Sequence, residues 1–362
     1  MYRLGTGKNM KIYINGKFLT QRITGVQRYA LEMTKAIDEL IGNNKELQKK
    51  EFILIVPRNI IYMPKLKNIL ILKKGMMCGQ IWEQLELPIY TRDGFLLSFA
   101  NGAPLVKLTQ AVTIHDASIC AMPNSYTFKF RSYFKGIFAI LGKVSKTIYT
   151  VSEFSKKELN RYFNINLDKI IVTYNGVDHI KTIQADERII VRKDLVGRQY
   201  ILVVGSMNPS KNFSLVLQVA KQMPNVNFVI AGGSNAKVFN NNEFIAPPTN
   251  VNFIGYVTDE ELMALYKNAS VFIYPSIYEG FGIPPLEAMM WNCPVVVSDI
   301  EVFHEVYEDA AEYCPYDDSS AWVKMLRNIL DGKYIKNRRV LEACLERYTW
   351  QKSANEVCKS FY

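Results

Sequence analysis

Two kinds of hydrophobic pattern alternate along the second half of the chain. Residues 200–205 form an unbroken apolar, β-branched run closed by Gly205, which predicts a buried strand followed by a loop. Residues 212–223 then place Phe213, Val216, Leu217 and Ala220 at helical spacing. The same reading predicts strands over 227–231, 251–256, 271–275 and 294–298. It predicts helices over 259–268, capped by Thr258 or Asp259, and over 284–291, opened by prolines. Such alternation implies a parallel sheet with helices on both faces. The first half is similar but looser, with strands predicted over 11–14, 52–56, 69–72, 111–114 and 147–151. The expected fold class is α/β, with two doubly wound Rossmann-like domains in tandem and a boundary near 178–198. An Asn-rich stretch over 234–250 reads as a long loop.

Composition narrows this little. A length of 362 residues with 49% hydrophobic content suits two sizeable cores. The best candidate for a membrane span, 136–142, is far short of the roughly 20 apolar residues required. Residues 1–10 carry no apolar core of a signal peptide. Cysteines at 78, 120, 293, 314, 344 and 358 stand too far apart for a zinc or redox motif, so a reducing, cytoplasmic setting is expected.

Charge changes the picture. Residues 1–180 hold 26 lysines and arginines against 13 acids, whereas 181–362 hold 18 against 21. No acid occurs from Ala117 to Ser152. One basic domain therefore faces an anionic partner (nucleic acid, a membrane surface or a phosphorylated substrate) unless the charge serves solubility alone. Within this half, Phe130, Tyr133, Phe134, Ile137, Phe138, Leu141 and Val144 recur at helical spacing and predict one apolar stripe. Lys129, Arg131, Lys135, Lys143 and Lys146 accompany it. The stripe either packs on the domain core or lies on an anionic membrane.

Ligands of open parallel sheets bind beyond the carboxyl ends of strands, so polar groups placed there matter most. The segment 274–288 follows a predicted strand and opens a helix. Gly280 and Gly282 let backbone N–H groups approach a ligand, and the helix start favours phosphate. Glu279 precedes the helix and Glu287 lies about one turn inside it. Carboxylates accept paired hydrogen bonds from vicinal hydroxyls, so two of them suit two polyol groups joined by phosphate. The alternative, a helix cap and an exposed helical Glu, accounts less well for the glycines and prolines. No Asp-x-Asp pair and no cluster with metal-ligand spacing occurs, so neither metal nor cofactor is implied.

These motifs resemble the retaining nucleotide-sugar glycosyltransferases of family four, with the GT-B fold, and among them mannosyltransferase-like enzymes of bacterial O-antigen and capsule assembly. The resemblance rests on residues 24–29, His115-Asp116, 151–156, Asn175-Gly-Val-Asp178, 205–212 and the two-glutamate loop. It implies that Glu279 faces the donor sugar hydroxyls and Glu287 the nucleotide ribose. Amides of Gly280, Phe281 and Gly282 would approach the sugar and diphosphate. Lys211 would neutralise the diphosphate, and Ser206 lines the same loop, where relatives often carry a second base. Taken alone, Lys211 is an exposed lysine at a helix start. His115, at a strand end, would face the cleft near the donor sugar and contribute to catalysis, or else be a structural histidine bonded to a backbone carbonyl. Gly25 resembles the glycine loop that admits the reacting groups. Arg28 either reaches phosphate or lies on a solvated helix face. Tyr256 and Val257 would lie beside the base, unless Tyr256 is a core residue.

By the same resemblance, residues 1–178 form an acceptor-side domain joined by a returning helix over 350–362, and 179–349 form the nucleotide-sugar domain. The implied activity is metal-independent transfer of a hexosyl or deoxyhexosyl residue, mannose from GDP-mannose. The acceptor is a lipid-linked glycan at the inner face of the cytoplasmic membrane. Rivals are a GT-B epimerase or phosphorylase, and a basic nucleic-acid-binding protein, for which no motif is present.

Overall fold

The computed structural model describes residues 10–233, 247–333 and 337–361. The first nine residues and most of the Asn-rich stretch, 234–246, lie outside the described residues. The chain divides into two compact units, Met1–Gly176 with Tyr348–Tyr362, and Val177–Arg347.

Among the described residues the first unit is built on seven strands: β1 (Lys11–Asn15), β2 (Glu51–Val56), β3 (Leu70–Lys73), β4 (Gly94–Ser98), β5 (Gln110–Thr113), β6 (Thr147–Thr150) and β7 (Ile170–Val172). They are ordered β3-β2-β1-β4-β5-β6-β7, and every pairing is parallel. The second unit has β8 (Tyr200–Val204), β9 (Asn227–Ala231), β10 (Val251–Gly255), β11 (Val271–Tyr274), β12 (Val295–Ser298) and β13 (Glu312–Cys314). Their order is β10-β9-β8-β11-β12-β13, again parallel throughout. Both units are doubly wound and Rossmann-like, and strand order reverses beside β1 and beside β8.

Apolar runs become central strands because burial on both faces rewards β-branched residues. Val203, Ile230, Ile273 and Val296 pack with Val216, Trp322 and Leu326 of the flanking helices. The helix Asp259–Asn268 begins at Thr258, whose hydroxyl and the Glu261 carboxylate complete a capping box. Strands β4, β7 and β13 were not among those expected. β13 is three residues, Glu-Tyr-Cys, at a sheet edge and carries no apolar run.

The helix Phe128–Val144 departs from the single stripe expected. Ile137, Phe138 and Leu141 enter the core with Val112, Ile114 and Ile148. At the other end, Phe128, Phe130 and Tyr133 are 73%, 45% and 42% exposed. Phe130 stacks on Tyr126 at 5.5 Å, and the Arg131 guanidinium lies 5.8 Å from the Phe128 ring centre. The stripe splits because a straight helix resting on a sheet of short strands meets it over only half its length.

The helix Trp350–Cys358 belongs to the first unit. It packs on the helix Gly25–Asn43, with Trp350 5.8 Å from Tyr29, and Phe361 meets Phe52 and Phe95.

Candidate functional site

In the second unit the reversal of strand order brings the ends of β8 and β11 side by side. Lys211 closes the turn Pro209–Lys211 after β8, and Asn212 follows in the left-handed region (φ 55°), its side chain bonded to the Tyr316 carbonyl. The Ile277 amide donates to the Ser210 carbonyl at 2.8 Å, tying the loop after β11 to the loop after β8. Lys211 Nζ consequently meets Glu279 Oε1 in an ion pair and donates to the Tyr274 hydroxyl at 2.8 Å. Burial opposes the Lys211 charge, but the Glu279 carboxylate and the Tyr274 oxygen outweigh it and hold the ammonium above its usual range. With side chains 18% and 13% exposed, the pair remains within reach of a ligand. Lys211 is thus not the free surface lysine that a helix-start position alone suggests.

The loop from Glu279 to the helix Ile283–Met290 turns through Gly282, whose φ of 93° disfavours other residues. A Cβ there would stand 2.2 Å from the Tyr307 hydroxyl, which donates to the Gly282 carbonyl at 2.6 Å. Gly280 and Phe281 are buried in the same loop. Glu287 is buried rather than solvated. The Tyr266 hydroxyl donates to its Oε2 at 3.1 Å, and His179 Nε2 lies 3.4 Å from its Oε1. Ser206 is exposed beyond β8. The ends of β8, β9 and β10 are laced together: a Cβ on Gly232 would be 2.1 Å from the Gly205 carbonyl oxygen, and the Gly232 amide bonds to Gly255. Tyr256 follows, 68% exposed, which excludes the core position considered for it; Val257 is half-buried.

The remaining candidates lie in the first unit. His115 is buried just beyond β5. Its Nε2 is 3.1 Å from the Phe99 carbonyl, its amide donates to Asn101 Oδ1, and its ring meets the edge of Tyr29 at 4.8 Å. A carbonyl only accepts, so Nε2 carries the proton and Nδ1 the lone pair. Burial lowers the imidazole to about 4, against which the carbonyl bond works only weakly. The ring therefore donates to this carbonyl in its neutral form. Gly25 opens the helix Gly25–Asn43 with open space where a side chain would stand. Arg28 is not on a solvated face: its side chain is 13% exposed and its guanidinium lies 3.7 Å from Glu32.

Tyr274, Tyr266, Tyr307 and His179 escaped the sequence reading. Hydroxyls that bond across 21 to 63 residues leave no local pattern. Among the described residues no three His, Cys, Asp or Glu side chains are grouped to hold a metal ion, and no helix is long and apolar enough to cross a membrane.

Residues 186–343 match the family model of glycosyl transferases group 1. The O-antigen chain mannosyltransferase RfbU of Salmonella typhimurium is 34% identical over 230 residues, 62% of each chain. The O-antigen chain mannosyltransferase B of Escherichia coli is 28% identical over 97% of this chain and 99% of its own. Among solved structures, Anabaena Alr3699/HepE in complex with UDP-glucose superposes with a TM-score of 0.69 at 14% identity, covering 97% of this chain and 100% of its own. The chain has the GT-B fold, carries over residues 186–343 a segment that matches the group 1 glycosyl transferases, and is similar to mannosyltransferases of O-antigen chains.

Proposed function

We propose that this protein is a retaining, metal-independent glycosyltransferase that moves a hexosyl or deoxyhexosyl residue, mannose from GDP-mannose, to a lipid-linked bacterial surface glycan. The observation that carries the reading is the Lys211–Glu279 pair beyond β8 and β11, beside the Gly282 turn. Charge grows on the diphosphate as the bond from the anomeric carbon to its oxygen breaks, and a pre-held ammonium offsets that charge without reorganising. Glu279 accepts from sugar hydroxyls, Glu287 from the ribose, and the loop amides from Gly280 to Gly282 approach the diphosphate. Ser206, Tyr256 and Val257 border the nucleotide. In the first unit His115, neutral at physiological pH, offers a polar contact to the sugar, and Gly25 leaves room for the reacting groups, with Arg28 as a further phosphate contact. The relatives named for mannose transfer support the choice of sugar.

The first unit also serves as a membrane-docking surface. Phe128, Phe130 and Tyr133 stand exposed among Lys129, Arg131 and Lys135, and each such cation near anionic lipid contributes about 1 kcal/mol. The enzyme would then work at the inner face of the cytoplasmic membrane.

A thermal-shift screen of GDP, UDP, dTDP and ADP sugars identifies the donor, since a ligand of the native state raises the melting temperature. The donor that binds is then incubated with lipid-linked acceptor in the presence of EDTA, and the anomeric proton of the product is read by NMR. Transfer with retention, undiminished by EDTA, is expected. Conversion without acceptor marks an epimerase, a requirement for inorganic phosphate a phosphorylase, and inversion or metal dependence overturns the mechanism. Binding to liposomes should rise with anionic lipid and fall when Lys129, Arg131 and Lys135 are replaced by Glu.

A further inference from the structure

Glu287 is gripped by two side chains from other parts of the chain. Tyr266 projects from the helix Asp259–Asn268, and His179 from the short turn Asp178–Thr182. Each addresses a different carboxylate oxygen, Tyr266 Oε2 and His179 Oε1. The three groups are buried together: Tyr266 is fully enclosed, and the His179 side chain is 4% exposed. The last torsion of a glutamate is broad and nearly unbiased, so the residue itself does not set the plane of its carboxylate. Paired recognition of a vicinal diol demands that plane, because both oxygens must meet both hydroxyls at once. Contacts to separate oxygens from two fixed elements supply it. Burial, and then the neighbouring Glu287 charge, keep the Tyr266 phenol protonated and therefore a donor.

We propose that Tyr266 and His179 are positioning residues that fix the Glu287 carboxylate plane and so set the preference of this site for ribonucleotides over deoxyribonucleotides. The inference rests on Glu287 as the ribose contact. Neither residue touches the ligand; both act through Glu287. Their removal should therefore erase discrimination at the sugar of the nucleotide while leaving base and phosphate contacts in place.

The test is calorimetric binding of GDP and 2′-deoxy-GDP to the full-length protein, or of UDP and 2′-deoxy-UDP if the uridine series is the one that binds. The wild type should prefer the ribonucleotide by about tenfold, the scale of one hydrogen bond to a charged acceptor. Tyr266→Phe and His179→Leu should reduce that ratio to about twofold, mainly by weakening the ribonucleotide. His179→Gln, whose amide nitrogen stands close to the place of Nε2, should restore it. Glu287→Ala serves as the reference for complete loss. If the wild type binds both nucleotides equally, the ribose role of Glu287 fails. If the wild type discriminates and Glu287→Ala does not, yet Tyr266→Phe and His179→Leu keep the full ratio, the ribose contact stands and the positioning role is overturned. Should Tyr266→Phe lose its native circular dichroism, the His179 pair of variants decides alone.

Discussion

The two units share one strand order around their first strands, yet they treat a lysine–glutamate pair at the strand ends in opposite ways. Beyond β1 and β4, Lys17 pairs with Glu83, which also accepts from Asn15 at 2.7 Å, and Asn15 donates in turn to Ser98. Glu83 is 1% exposed. It comes from a π-helical turn, Trp82–Glu86, braced by Trp82 Nε1 on the Lys74 carbonyl. A Cβ on Gly102 would stand 2.8 Å from Glu83, so the loop after β4 closes over the pair. Beyond β8 and β11, Lys211 and Glu279 keep part of their surface in solvent. A closed pair has spent its charges on holding backbone together. An open pair can exchange one partner for a ligand. The same two residue types thus serve architecture in one place and chemistry in another, and burial decides which.

Truncation breaks the comparison most directly. Lys211→Ala and Glu279→Ala should each lower turnover about a hundredfold at saturating donor, with little change in melting temperature. Near-normal turnover in either variant removes that pair from the site. Lys17→Ala or Glu83→Ala should do the reverse, costing about 3–5 kcal/mol of stability in urea unfolding by leaving a buried charge unpaired. Unfolding midpoints equal to wild type would show that the first pair is not closed after all.

His115 gives a smaller effect with a defined sign. Its folded value of about 4 lies below the ordinary 6.5. Between those values the unfolded chain takes up a proton that the folded chain refuses, so stability rises with pH. The window from pH 4 to 6.5 should hold on the order of 3 kcal/mol from this group, and His115→Gln should flatten it. An unchanged acid limb in the variant would mean that the imidazole is not held neutral. The smallest effect belongs to Tyr256. Its exposure predicts a stability change within about 0.5 kcal/mol for Tyr256→Ala, with a several-fold loss of nucleotide affinity if the ring stacks on the base. Unaltered affinity would leave Tyr256 without that role.

Much of this was legible in the sequence, and the reason is local chemistry. The central strands announce themselves by β-branched runs, and the turn at Gly280-Phe-Gly-Ile-Pro-Pro285 by glycines and prolines that tolerate few other backbones. Lys211 and Glu279 could each be singled out from their places after strands. Their contact could not, because it depends on β8 lying next to β11, a matter of topology across 68 residues. Tyr266 and His179 were invisible for the same reason. For His115, strand position was readable, but whether its ring meets a carbonyl depends on the loop at Phe99. The helix Phe128–Val144 shows the converse limit: periodicity marked an apolar face but not how far along it the sheet extends.

The return of the chain at Tyr348 orders events in time as well as in space. Tyr29, Phe52 and Phe95 receive their covering from Trp350 and Phe361, which are made only after the whole of the second unit. The second unit can complete its sheet during synthesis, since its described strands all precede residue 315. The first, although begun earlier, waits with aromatic surface uncovered until residues 350–361 have been made. A nascent chain stalled before residue 348 would therefore hold a finished younger unit and an unfinished older one, and the older would be the natural target for chaperones and proteases.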